Sequence, residues 1–171
     1  MLGIVYWITG LAGAGKTSIG KKLYEKLREK KSNVVFLDGD NLRAILKISC
    51  NYSISERLKL AMVYARLCKM LSDQGMDVVC CTISMFNECR DWNKKNIKNY
   101  KEVYIKVPFE VLKKRNQKNL YKDKKNVVGL DLEFEEPSSS HLILRNDGKN
   151  SLEFLFDILC SKFNIRNNIN V

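Results

Sequence analysis

Five short apolar runs, each bounded by turn-forming residues, recur along the chain. They occupy residues 3–9, 34–37, 76–83, 103–107 and 142–144. Near-continuous apolar runs of this length are typical of strands that are buried on both faces, as in parallel sheets. The pattern therefore predicts five buried parallel strands.

Longer segments with helical spacing lie between and after these runs, at residues 17–30, 53–74, 87–98, 109–115 and 151–163. Ser53, followed three residues later by Glu56, predicts a capping box at the start of the second of these helices, and Gly75 predicts its end. Strands that alternate with helices are typical of an α/β fold, a doubly wound sheet with helices on both faces.

Residues 116–140 have no sustained periodicity and mix Lys, Asn, Asp, Glu and Gly with one Pro. Loops of this length within compact domains are usually lids or disordered segments, and we expect a lid. A chain of 171 residues without a composition break predicts a single domain over residues 1–171.

The charge balance is strongly basic, with 30 Lys and Arg against 19 Asp and Glu and a net charge of +11. Such a field favours anionic partners, either a phosphorylated small molecule or a nucleic acid. A basic nucleic-acid-binding module is one alternative, but the sequence contains no base-reading motif, so we expect no nucleic-acid partner.

The six cysteines form no C-x-x-C pair, and the single histidine is His141. This pattern predicts reduced thiols in a cytoplasmic protein rather than disulfides or a zinc site. The amino terminus has neither a basic leader nor a long apolar stretch, which predicts no export and no membrane partner.

The strongest chemical signal is the segment G-L-A-G-A-G-K-T at residues 10–17, which matches G-x-x-x-x-G-K-[ST]. It lies between a predicted strand and a predicted helix, the context that a phosphate-binding loop requires. We expect Lys16 to contact the β- and γ-phosphates of ATP and Thr17 to hold Mg²⁺. The predicted ATP-binding residues are Gly10, Ala12, Gly13, Ala14, Gly15, Lys16, Thr17 and Ser18.

The second predicted strand leads directly into D-G-D-N-L-R at residues 38–43. Ligands bind at the carboxyl edge of open α/β sheets, and phosphoryl transfer uses one carboxylate near the metal and another to orient the attacking hydroxyl. Asp38 and Asp40, together with Lys16, are therefore the candidate catalytic residues. Capping of a helix by Asp38 or Asp40, with Arg43 as a surface partner, is the structural alternative.

These motifs together resemble those of the adenylylsulfate kinase family, whose members phosphorylate the 3′-hydroxyl of adenosine 5′-phosphosulfate. The resemblance continues through residues 52–57, 82–84, 114–122, 129–131 and 136–137, nearly the whole chain. It implies an ATP-dependent kinase for a nucleotide acceptor, with a homodimer as one assembly of the family. The acceptor-binding residues that it implies are Asp40, Arg43, Tyr52, Arg57, Ile83, Ser84, Lys118, Leu120 and Lys122.

The chain departs from the family pattern around the acceptor. It has Leu60-Ala61-Met62-Val63 where the family has N-I-R-R, and Met85 where the family has a proline. Tyr52 and Val127 stand where the family places two phenylalanines around its purine. Without this amide and these two guanidinium groups, the site has fewer cationic and polar groups to compensate the negative charge of a phosphosulfate.

A branch of the family phosphorylates the ribose 3′-hydroxyl of cytidine diphosphoramidate during synthesis of capsule decorations, and the chain is similar to that branch. A pyrimidine needs less stacking surface than a purine, which agrees with the departures. Cytidine diphosphoramidate is thus the expected acceptor. Adenosine 5′-phosphosulfate, with ordinary sequence drift, is the alternative.

Overall fold

A computed structural model describes residues 1–47, 53–115, 128–129 and 133–165 of the chain. In order, its strands and helices are β1 (Val5–Thr9), α1 (Lys16–Arg28), β2 (Val34–Asp38), α2 (Gly39–Leu46), α3 (Ile54–Asp73), β3 (Asp77–Thr82), α4 (Asn87–Asn96), β4 (Tyr100–Lys106), α5 (Phe109–Arg115), β5 (Leu142–Arg145) and α6 (Leu152–Lys162).

The five strands form one parallel sheet in the order β2-β3-β1-β4-β5. Because β1 is central, the loop that follows it emerges in the middle of the carboxyl edge. The order reverses at β1, since β3 lies on one side of it and β4 on the other. This reversal is the point at which open α/β sheets bind ligands.

Alternate side chains of each central strand face opposite layers of helices. Val5 and Trp7 pack with α3 and α4, whereas Tyr6 and Ile8 pack with α1 and α6. All five residues of β1 are buried. Burial on both faces explains why this strand reads as one apolar run, and the predicted α/β fold with helices on both faces is confirmed.

Helix α3 begins as predicted, because the Ser53 hydroxyl accepts a hydrogen bond from the Glu56 amide at 3.3 Å and the Glu56 carboxylate accepts from the Ser53 amide at 3.4 Å. It ends at Asp73, shortly before Gly75, whose φ of +85° is left-handed and whose amide donates to the Ser72 carbonyl. The capping box and the glycine stop are therefore both confirmed.

Two elements differ from the sequence prediction. Strand β4 starts at Tyr100, three residues before the predicted apolar run, and takes in Lys101 and Glu102. Residues 39–46, which the periodicity did not separate as an element, form helix α2. The capping alternative at this segment is correct for Asp38, whose carboxylate accepts a hydrogen bond from the Asp40 amide at 2.9 Å.

Trp7 and His141 have structural roles. Trp7 is fully buried between the sheet and α3, and the His141 Nδ1 accepts a hydrogen bond from the Glu102 amide at 3.1 Å. The five described cysteines are buried and free, and Cys50 lies outside the described residues. No helix in the described ranges has both the length and the apolar character needed to cross a bilayer.

Candidate active site at the carboxyl edge of the sheet

The loop between β1 and α1 depends on glycine at both ends. Gly10 has φ +152°, and a Cβ atom there would lie 2.6 Å from the carbonyl oxygen of Ile105 in the neighbouring strand. Gly15, at the start of α1, has φ +95°. Side chains at these positions would strain the backbone, so the loop can take this compact path only with glycine.

Helix α1 begins without a competing acceptor at its amino end. Gly15 has no side chain to cap the helix, and the first turn contains no acidic residue. The other helices with described starts carry an acidic residue in the first turn. Free backbone N–H groups and the helix dipole therefore remain available to an anion at α1.

Lys16 is half-buried, and its Nζ donates a hydrogen bond to the Leu11 carbonyl within the loop at 2.8 Å. Burial lowers the pKa of its ammonium group to about 8 despite the nearby Asp38 carboxylate. The Cys81 thiol, whose pKa burial raises, donates to the Lys16 carbonyl at 3.3 Å. The amine is thus held inside the loop, where a bound phosphate would raise its pKa again.

Asp38, the last residue of β2, joins the loop to α2. One carboxylate oxygen accepts a hydrogen bond from the Thr17 hydroxyl at 2.8 Å, and the other accepts from the Asp40 amide at 2.9 Å. A hydroxyl and a carboxylate side by side are hard oxygen donors, which suit Mg²⁺. No group of three or more His, Cys, Asp or Glu side chains that could hold a metal ion occurs among the described residues.

Asp40 and Arg43 lie on successive turns of α2 and form an ion pair. Asp40 is exposed and Arg43 is half-buried. The start of α2 is fixed by the buried Tyr64, whose hydroxyl donates to the Gly39 carbonyl at 3.2 Å. A Cβ atom on Gly39 would lie 3.3 Å from the Cys81 carbonyl, so α2 begins directly against the end of β3.

Two residues that the sequence analysis did not select hold the loop from its other side. Arg115, at the end of α5, donates to the Gly13 carbonyl at 3.2 Å and to the Asn146 side chain at 2.9 Å. Asn146, directly after β5, donates to the Ala14 carbonyl at 2.9 Å. The only sequence signal for Asn146 is its position at the carboxyl end of a strand.

A small, mainly apolar pocket lies beside the loop. Its walls come from α3, from the segment after β3 and from the segment before β5. The lining residues are Ile54, Arg57, Ile83, Met85, Phe86, Val128, Glu133 and Phe134. Gly129, next to Val128, lies against Leu11, since a Cβ atom there would be 3.0 Å from the Leu11 side chain. The pocket therefore adjoins the phosphate-binding loop.

The segment before β5 is tied to the segment after β3 by backbone and side-chain contacts. The Glu135 amide donates to the Met85 carbonyl at 3.2 Å, and the Glu135 carboxylate accepts from the Asn87 amide at the start of α4. These bonds bring Phe134 and Phe86 into one pocket. Sequence reasoning missed Phe134, for which an aromatic residue shortly before Glu136-Pro137 was the available signal.

The structure gathers most of the predicted residues into these two regions. Lys16, Thr17, Asp38, Asp40 and Arg43 surround the loop, while Arg57 and Ile83 line the pocket. Ser84 is buried and its hydroxyl bonds Thr82 at 2.9 Å, and Ser18 is exposed on α1. Four predicted residues lie outside the described residues, namely Tyr52, Lys118, Leu120 and Lys122; the compared position Val127 does so as well.

The departures from the family pattern have a structural outcome. Leu60 and Ala61 are buried in the core beneath α3, and Val63 is 40% exposed. Met85 is buried and lines the pocket. Residues 60–63 are not among the described lining residues of the pocket, whose charged members are Arg57 and Glu133.

Several known nucleotide kinases are similar to this chain over most of its length. Cytidine diphosphoramidate kinase of Campylobacter jejuni is 45% identical over 92% of this chain and 95% of its own length. A probable adenylyl-sulfate kinase of Archaeoglobus fulgidus is 34% identical over 85% of this chain and 97% of its own. The structure of the Mycobacterium tuberculosis APS kinase with AMPPNP and APS superposes with a TM-score of 0.86, at 26% identity, over 95% of this chain and 98% of that one.

The family pattern itself extends across most of the fold. Residues 2–145 match the adenylylsulphate kinase family, from the strand before the phosphate-binding loop to the end of β5. Since 144 of the 171 residues are included, the chain belongs to the adenylylsulphate kinase family of phosphotransferases.

Proposed function

We propose that the protein transfers the γ-phosphoryl group of ATP to the ribose 3′-hydroxyl of cytidine diphosphoramidate. The observation that carries the proposal is the juxtaposition of a phosphate-binding loop, a carboxylate pair and a small apolar pocket at one edge of the sheet. The 45% identity to cytidine diphosphoramidate kinase over 92% of the chain supports this acceptor.

In this proposal the loop binds the donor. Backbone N–H groups at the start of α1 and the Lys16 ammonium bind the phosphates of ATP and offset the charge that develops during transfer. The 3′-hydroxyl oxygen forms a bond to the γ-phosphorus as the bond to the β-phosphate oxygen breaks, and ADP leaves. Asp40 accepts the hydroxyl proton, since it is exposed at the site, whereas Asp38 accepts the hydrogen bond from the Thr17 hydroxyl.

The Thr17 hydroxyl and the Asp38 carboxylate, 2.8 Å apart, fit a magnesium ion that keeps several of its waters. Thr17 would bind the ion directly and Asp38 would bind through water. When bound, such an ion neutralises charge on the β- and γ-phosphate oxygens. Asp38 also fixes the start of α2, and so sets the position of Asp40.

The acceptor assay tests the proposal directly. ADP release is measured with purified protein and MgATP in the presence of cytidine diphosphoramidate, adenosine 5′-phosphosulfate, CDP or no acceptor. We expect turnover with the cytidine diphosphoramidate alone. Silence with that compound would refute the proposed acceptor.

Adenylylsulfate kinase activity is the second candidate, because several relatives at 32–34% identity carry that name. The chain carries no cation at residues 60–63, where the family has two arginines, and Arg57 is the cationic residue of the described pocket lining, which favours the first candidate. Turnover with adenosine 5′-phosphosulfate alone would establish the second candidate.

Nucleotide binding is expected to weaken as the pH rises above about 8. Burial lowers the pKa of Lys16 to about 8 in the free protein, and the negative phosphates of ATP would raise it in the complex. Binding therefore takes up a proton above pH 8, and the Kd for MgATP should rise by up to about tenfold per pH unit there. Calorimetric titration between pH 7 and 9.5 measures this dependence.

The control for this pH dependence is Lys16→Arg. A guanidinium group stays charged throughout the range, so the variant should bind MgATP with a Kd that varies little with pH, whatever its absolute value. A pH-independent Kd for the unaltered protein would contradict the assignment of Lys16 to the phosphates.

Arg57→Ala is expected to raise the KM for the acceptor about 10- to 100-fold, because a charged hydrogen bond to a phosphate contributes about 1.5–3 kcal/mol. Arg57 lines the pocket from α3, away from Lys16 and Thr17, so the KM for ATP should stay unchanged. The matched control is Arg66→Ala, which removes an exposed guanidinium from the same helix. An unaltered acceptor KM would mean that Arg57 does not bind the acceptor.

Further expectations accompany the proposed activity. We propose that residues 1–171 form one domain, as supported by the single sheet of the described residues and by the packing of α6 on α1. We also propose a lid at residues 116–140, most of which lie outside the described residues. The buried free thiols support a cytoplasmic location. The family resemblance supports a homodimer, which light scattering on the purified protein would test.

A further inference from the structure

The acceptor pocket has opposite charges among otherwise apolar lining residues. Arg57 and Glu133 supply these charges, and six apolar side chains make up the remainder of the lining. Phe86 and Phe134 are half-buried there, and Met85 is almost fully buried. Such a lining suits the flat faces of a base, with the charged groups left to set its orientation.

Glu133 is exposed, and the backbone that follows it is attached to the core. Two residues later, the Glu135 amide bonds the Met85 carbonyl and the Glu135 carboxylate bonds the start of α4. Glu136 then pairs with Lys106 of β4 at 2.5 Å. The backbone that carries Glu133 is thus attached to two elements of the core, which is what a selective contact requires.

Resting on the proposed function, we propose that Glu133 selects the acceptor base by accepting a hydrogen bond from the exocyclic amino group of cytosine. An ionised carboxylate can only accept hydrogen bonds, and Glu or Asp is a natural partner of the cytosine N4 amino group. Uracil presents a carbonyl oxygen at the same position, which a carboxylate repels.

The charge arrangement of the pocket matches that of the ligand. A nucleotide 5′-diphosphate analogue is anionic at one end and has an amino group at the other. The Arg57 guanidinium attracts the anionic end and the Glu133 carboxylate repels it. The two residues together therefore favour one orientation, with phosphates at Arg57 and the base edge at Glu133.

The test compares kcat/KM for cytidine diphosphoramidate and for its uridine counterpart. One well-formed hydrogen-bonded pair gives roughly 10- to 100-fold discrimination against the wrong base. We expect the unaltered protein to prefer the cytidine compound by this factor. Glu133→Gln should bring the ratio close to one, because the amide can donate to the uracil oxygen, while the KM for ATP stays constant.

The control variant is Glu110→Gln, which makes the same chemical change at an exposed carboxylate of α5 that pairs with Lys113, outside the described pocket lining. It should keep the cytidine preference of the unaltered protein. A preference that persists in Glu133→Gln would overturn this inference and leave the proposed function intact. If the unaltered protein released no ADP with either pyrimidine compound, both the inference and the proposed function would be overturned.

Discussion

Lys16→Ala is expected to lower kcat by about 10³-fold or more, since removal of even one neutral donor to developing charge costs about 10²–10³. The ammonium lies inside the loop, bonded to Leu11, with Thr17 and Asp38 next to it. The lost charge would act on the phosphoryl group during transfer, so the change should appear in kcat as well as in ATP affinity. Steady-state ADP release at saturating MgATP measures it.

The matched control is Lys21→Ala, which removes an exposed ammonium from the same helix, α1. Its turnover should equal that of the unaltered protein. Thermal melting of Lys16→Ala separates loss of function from loss of fold, because burial already disfavours the Lys16 charge and its removal should change the melting temperature by only a few degrees. Full turnover by the folded variant would refute the assignment of the loop to ATP.

The fold and the conformation of the phosphate-binding loop could be predicted because their signals are local. Strands buried on both faces produce apolar runs, and the phosphate-binding loop is one continuous segment whose glycines are required by its backbone path. The carboxylate pair follows a strand directly, so its place at the sheet edge follows from the topology. In each case a few adjacent residues contain the whole signal.

The start of β4 was not predicted because this part of the strand contains a charged residue that is buried. Glu102 is fully buried, with Arg90 Nε 3.7 Å and Lys94 Nζ 3.9 Å from its carboxylate oxygens. Burial raises the pKa of this carboxyl group. From sequence alone, a charged residue predicts an exposed position. Only the tertiary structure shows that two cations from α4 lie beside Glu102 and allow its burial.

The pocket beside the phosphate-binding loop could not be predicted for a related reason. Its lining comes from residues within 54–57 and 83–86 and from residues 128, 133 and 134, which no local pattern connects. The contact between Glu135 and Met85 brings two of these segments together. Phe134 and Glu133 therefore reach the pocket through a long-range backbone hydrogen bond that the sequence does not reveal. Arg57, by contrast, was predicted from a motif.

Exchange of each carboxylate for an amide should separate the roles of Asp40 and Asp38. Asp40→Asn is expected to lower kcat about 10²- to 10⁴-fold, the usual contribution of a general base, with little change in either KM. Asp40 is exposed and its ion pair with Arg43 lies on the surface of α2, so the free energy of unfolding should change by less than about 1 kcal/mol.

Asp38→Asn should act on the metal instead. Asparagine caps helices as well as aspartate does, so α2 and the Asp40 amide contact are kept, while the charge beside Thr17 is lost. The Mg²⁺ concentration for half-maximal turnover should rise about 10- to 100-fold, as for other groups that support a metal site, and excess Mg²⁺ should restore most of kcat. If excess Mg²⁺ instead restored Asp40→Asn and left Asp38→Asn inactive, the two roles would have to be exchanged, with Asp38 as the base and Asp40 at the metal.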